Sequence, residues 1–122
     1  MQIMKKLLGI VVLSLLWCNV SFAELTAKTY LSVKESGGED WQYLKVYIRG
    51  VTKGYYWYNS IVGSQKGEKL YCQPMNLLLK ENDYLDLIDK EIKYAKKIGF
   101  YDDNDDVEML LGVSLKREFP CK

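Results

Sequence analysis

Histidine is absent from the 122 residues, proline occurs twice and cysteine three times. Without an imidazole the chain cannot build a Ser–His–Asp or Cys–His centre, nor a His-ligated zinc or haem site. Three cysteines are too few for the four thiolates of an ordinary iron–sulfur cluster. The 17 Lys+Arg and 16 Asp+Glu leave a net charge of +1, which lacks the basic excess of a general nucleic-acid binder. With 16 acids, paired carboxylates are unavoidable and carry no information about acid–base chemistry. No Ser-x-x-Lys element stands at a helix start. The composition therefore points away from an enzyme and from any cofactor or metal.

What is present divides the chain early. Lys5 and Lys6 precede an apolar run from Leu7 to Trp17, and Ser21-Phe22-Ala23 places small residues at the third and last positions before a cut. This is the pattern of a Sec signal peptide over residues 1–23, and it predicts a periplasmic product with no membrane attachment after cleavage. The run is short for a membrane span. Cys18 raises a lipoprotein reading, but Trp17 fills the position that needs a small residue. Removing 23 residues from 122 leaves 99, a single domain over 24–122 with 15 basic and 16 acidic groups, so the net charge becomes −1. Two cysteines remain, Cys72 and Cys121, and export makes a disulfide between them the natural reading. The loop closed spans about 50 residues, for which chain entropy gives a stabilisation of ~4 kcal/mol.

Hydrophobic spacing predicts helices throughout. Glu24 to Lys34 fits a short helix, although Leu25, Ala27, Thr29, Leu31 and Val33 also alternate as in a strand. Ser36-Gly37-Gly38 breaks the chain. Trp41, Leu44, Ile48, Val51, Tyr55, Tyr58 and Val62 then recur at alternating intervals of three and four, which only a helix places on one face. Ser36 or Asp40 is a candidate cap for its start, and Gly63 a candidate stop. A second helix is expected from Asn76, or from Asn82 if that residue recaps it, to Ile98. It would bury Leu85, Ile88, Ile92 and Ala95, with Asp86–Lys90 and Asp89–Lys93 pairs on its solvent side. A third follows the acidic turn at 102–106 and buries Val107, Leu110, Leu111, Ser114, Leu115 and Phe119 before Pro120 ends it. The fold class expected is a small compact all-α bundle with one disulfide.

Three features stand out as candidate sites. Gly50 and Gly54 lie one turn apart on the long helix, where each glycine costs about 1 kcal/mol relative to alanine. Close approach of another backbone, within the monomer or across a homodimer, would compensate. Tyr55-Tyr56-Trp57-Tyr58 cannot all face one way, because successive helical residues are about 100° apart. Tyr55 and Tyr58 continue the core stripe, which leaves Tyr56 and Trp57 as candidates for a protein interface. Asp102, Asp103, Asp105, Asp106 and Glu108 form an acidic stretch that begins like a calcium loop. Val107 at the sixth position and Val113 at the twelfth lack the required glycine and glutamate, however. Helix capping or a partner-binding patch are the readings that remain.

The order of short motifs suggests a family. Tyr47-Ile48-Arg49-Gly50-Val51 leads to Tyr71-Cys72-Gln73-Pro74, and a further helical stretch closes on Phe119-Pro120-Cys121. In this the chain resembles the Rap/Tai-type periplasmic immunity proteins, which neutralise peptidoglycan amidase effectors of type VI secretion, over most of residues 24–122. The resemblance implies a small helical protein, often dimeric, that binds a cognate amidase effector and obstructs its cleft, without catalytic residues of its own. Cys72 and Cys121 map onto the family's later disulfide. A second cysteine pair common in such proteins is replaced here by Lys34 and Leu44. The alternative expectation is a structural or adaptor domain of the cell envelope on the same helical scaffold, with no toxin partner.

Overall fold

The structure, a computed structural model, describes residues 2–21 and 25–122, with side chains at 2–14 and 25–122. The expected cleavage point after Ala23 and the side chains of Trp17 and Cys18 lie outside the described residues. Among the described residues five helices follow in order: α1 (Gln2–Ser21), α2 (Ala27–Ser36), α3 (Gly38–Ser64), α4 (Glu81–Ile98) and α5 (Val107–Glu118). The described side chains of α1 are all exposed. Among the described residues no helix is long and apolar enough to cross a membrane. The bundle of α2 to α5 bears out the all-α reading.

Residues 27–36 are helical rather than extended, and the reason is a cap with a tether. Thr26 Oγ1 accepts from Thr29 N at 3.2 Å at the start of α2. Ala27 N and Lys28 N donate to the carbonyls of Asp105 and Asp103, and Val107 N donates back to Leu25 O at 2.9 Å. The turn before α5 thus holds the start of α2. Gly37 and Gly38 both have positive φ (66° and 73°), so the chain reverses into α3 where the sequence signalled a break. Neither Ser36 nor Asp40 caps α3: Gly37 occupies the cap and no side-chain hydrogen bond is made there.

The core gathers Tyr30, Ile48, Tyr71, Ile88, Leu111 and Leu115 among its most buried members. Tyr30 packs edge-on against Trp41, and its hydroxyl donates to Asp89 Oδ1 at 2.9 Å. Asp89 also pairs with Lys34, and Lys90 pairs with Glu118 at 2.9 Å. These charges therefore bridge elements instead of forming the expected pairs along α4. Arg117 reaches the buried Glu91 at 3.1 Å and lies over the Tyr94 ring.

Two features differ from the first expectation. The second long helix starts at Glu81, one residue from the Asn82 alternative and not at Asn76, because Pro74 begins a turn closed by Leu77 N to Pro74 O and Asp83 Oδ2 caps the Lys80 amide at 2.8 Å. On α3, Tyr58 is 59% exposed rather than part of the core stripe. A spacing averaging 3.5 drifts about 20° per heptad around a helix of 3.6 residues per turn. Near the end of α3 the core line passes to Asn59, which is buried.

Cys72 and Cys121 are bonded, with Cα atoms 4.9 Å apart, as the cysteine count led one to expect. Cys72 N donates to Phe119 O at 2.8 Å, so backbone and sulfur together fix the C-terminus to the start of the non-helical 72–80 segment.

Candidate protein-binding surface

The outward side of α3 concentrates the protein's exposed aromatic surface. Tyr43, Val46, Tyr47, Trp57, Tyr58 and Ile61 are all exposed, and Gly50 and Gly54 lie between them. At 100° per residue these positions fall within an arc of about 120°, and no charged residue shares that arc from 43 to 61. Most soluble helices put charge on this side. The spacing of Tyr43, Tyr47, Gly50, Gly54, Trp57 and Ile61 alternates four and three, the seam pattern of paired helices.

Among the described residues, no atom beyond the adjoining backbone of α3 lies within 4 Å of a side-chain position at either Gly50 or Gly54. The expected close packing inside the monomer is therefore not made there. It occurs on the other side of α3, where the Tyr55 phenol rests on Gly112 of α5 and donates to Glu108 O at 2.7 Å. Among the described residues, then, no backbone packs against Gly50 and Gly54.

Tyr56 and Trp57 are both exposed, and their rings meet edge to face with centroids 5.4 Å apart. They serve different sides. Trp57 lies on the uncharged seam, whereas Tyr56 turns to a cavity shared with Leu79 and Tyr84.

The acidic stretch is not gathered with them. Asp102 Oδ1 accepts from Asn104 N at 2.8 Å, and Asp103 Oδ1 accepts from the Tyr101 hydroxyl at 2.8 Å. Burial and this bond to Asp103 push the Tyr101 phenol up to about 12. Asp103 and Asp105 offer carbonyls to α2, and Asp106 bridges Thr26. Glu108 receives the Tyr47 hydroxyl, a bond that raises the Tyr47 phenol to about 12 and pins one seam residue. The turn thus tethers the start of α2 through its backbone, whereas the expected capping of α5 is not made by a side chain: Asp106 occupies the cap position without a side-chain hydrogen bond. Among the described residues no group of His, Cys, Asp and Glu is arranged to hold a metal ion.

Sequence reading named Tyr56, Trp57 and the two glycines but missed Val46, Tyr58 and Ile61 as surface. The four–three spacing through Tyr43 and Ile61 was the available signal, masked by the parallel core stripe on the same helix. Fold and surface together define a small disulfide-bonded helical protein with an unpartnered aromatic face. No family model, curated protein or solved structure matches the chain.

Proposed function

We propose that the chain is exported and acts as a periplasmic binding protein of the amidase-immunity type, covering the active-site cleft of a peptidoglycan amidase effector. One observation carries the binding part of this reading, namely the uncharged aromatic face of α3. An exposed apolar patch of that kind marks a protein interface, and tyrosine and tryptophan supply much of the energy of such contacts. The amidase part is supported by the Tyr-Ile-Arg-Gly-Val, Tyr-Cys-Gln-Pro and Phe-Pro-Cys motifs in their order. The first motif lies on α3, and the other two meet at the Cys72–Cys121 disulfide.

The test is rescue. Cells receiving a cognate amidase in the periplasm survive when this chain is exported and die when Trp57→Lys replaces it. Equal protection by a variant lacking residues 1–23 would overturn the periplasmic mechanism. Capture of resident envelope proteins without any protection would instead favour an adaptor on the same scaffold.

A further inference from the structure

A second surface adjoins the aromatic face. Two cavities open side by side along α3, and Tyr56 lines both. The first, about 260 Å³, lies between Ile48 and Thr52 on one side and Leu79, Glu81 and Tyr84 on the other. The second, about 410 Å³, lies between Asn59 and the segment from Tyr71 to Leu78. The segment forming the far wall is held at one end by the disulfide and at the other by the cap of α4. The groove is therefore built into the fold.

Its polar groups are incompletely matched. Gln73 Nε2 donates to Leu77 O at 2.6 Å, which fixes the amide orientation and leaves Oε1 buried with no donor among the described residues. Tyr71 is 1% exposed and lines the same cavity. Buried polar groups are normally paired. Gln73 Oε1 is the buried side-chain atom left without a partner among the described residues, an acceptor that the N–H of a peptide group would satisfy.

Charge and rim narrow the occupant further. Arg49, Lys53 and Lys69 line the two cavities against a single acid, Glu81, which Arg49 already binds. Lys53 and Lys69 form no ion pair among the described residues. Met75 is fully exposed and Leu78 is 80% exposed at the edge, an apolar rim that a small molecule would leave wet. A backbone amide, negative charge and broad coverage converge on one kind of ligand.

We propose that this groove binds an extended segment of a partner polypeptide that carries an apolar side chain beside one or more carboxylates. The apolar side chain fills the cavity over Ile48, Leu79 and Tyr84. A peptide N–H meets Gln73 Oε1, and the carboxylates lie near Lys53 and Lys69. Strand-like peptides are recognised in this way, with backbone hydrogen bonds for affinity and side-chain cavities for selectivity. The proposal does not depend on the partner being an amidase.

The probe is a phage-displayed library of random dodecapeptides, panned on the disulfide-bonded full chain. Synthetic copies of the selected sequences are then measured by fluorescence anisotropy. Selected peptides are expected to share an apolar residue within three positions of Asp or Glu. Both Tyr56→Ala and Lys53→Glu change exposed side chains, and each should weaken binding at least tenfold. Replacing the peptide carboxylate with lysine should abolish binding to the wild type and restore it to Lys53→Glu, which shows that the variant is folded. An empty selection, a consensus without carboxylates, or affinities unchanged by Tyr56→Ala and Lys53→Glu would overturn the proposal.

Discussion

Asn59 holds Tyr71 by both sides of its backbone: Nδ2 donates to Tyr71 O at 2.7 Å, while Oδ1 accepts from Tyr71 N at 3.3 Å. Oδ1 also accepts from Leu70 N at 2.7 Å. A buried carboxamide on α3 thus plays the part of a neighbouring strand for a segment that has none. It sets where Tyr71 enters the core and where Cys72 can meet Cys121.

Removing that carboxamide should be costly. Asn59→Ala leaves two amides and a carbonyl without partners, and a buried unsatisfied group costs about 1–3 kcal/mol. We expect Asn59→Ala to lose about 2–4 kcal/mol in urea unfolding. Asn59→Asp keeps the acceptor but sets a carboxylate against the Tyr71 carbonyl. That raises the carboxyl pKa in the folded state, so stability relative to wild type is best below the unfolded carboxylate value near 4 and falls as pH rises. Parallel pH profiles of the two proteins would refute this.

The contact between Tyr55 and Gly112 makes a second prediction. A methyl at position 112 meets the Tyr55 hydroxyl and ring. Overpacking of this kind costs typically 1–3 kcal/mol. Gly112→Ala should therefore destabilise by about that amount, and adding Tyr55→Phe should recover part of the loss by removing the colliding oxygen. Strict additivity in the double-mutant cycle would argue against the contact.

Much of this architecture was legible in the sequence. The long amphipathic stripe and the Gly37-Gly38 break marked helices and their ends, because periodicity and turn chemistry are local. The sequence leaves the start of α4 open between Asn76 and Asn82 because Leu77, Leu78 and Leu79 look helical by composition. Their conformation is decided by the turn at Pro74 and by the Lys80–Asp83 cap. Tyr58 was assigned to the core because a heptad spacing drifts on a straight helix. Asn59 carried no signal, since its value depends on backbone groups 11 and 12 positions away. The groove was equally hidden, as it needs α3 beside a segment that Asn59 and the disulfide together bring into place.

The disulfide can be tested directly. Cys72→Ser should lower Tm markedly under oxidising conditions, with a loss of about 2–4 kcal/mol, close to the loop-closure value for a bridge of this separation. Reduced wild type should melt with the variant. Identical melting of oxidised and reduced wild type would remove the claim.

Alkali should unfold the protein through its phenols. Burial pushes Tyr71 up to about 12, helped by the Tyr84 and Tyr56 phenols, while the bond to Glu108 raises Tyr47 to about 12. Burial and Asp89 raise Tyr30 further. A raised folded pKa means that the native state holds its protons longer than the unfolded chain. The stabilisation is fully present below pH ~10 and is lost as pH rises towards and through 12. Tyrosinate absorbance should show an early exposed fraction, followed by a cooperative step that coincides with loss of helical circular dichroism. Gradual titration of every tyrosine while the helices persist would contradict the assignment.

Gly50 and Gly54 offer the sharpest separation between folding and binding. Both sit in a helix interior with negative φ and open space where a side chain would go. For the isolated chain each is a defect, and Gly→Ala should stabilise α3 by roughly 0.5–1 kcal/mol. Retaining two such positions one turn apart, on an uncharged aromatic seam, makes physical sense where another helix packs against them. That helix would belong to a second copy or to the partner proposed for the aromatic face. The double variant Gly50→Ala/Gly54→Ala should therefore raise Tm, and Gly50→Leu/Gly54→Leu should do so without loss of helical content. The leucine pair should abolish self-association in analytical ultracentrifugation if a second copy occupies the seam. If a partner occupies it, partner binding and cell rescue should fall at least tenfold instead. Higher stability with both assembly and rescue intact would show that the glycines serve no interface.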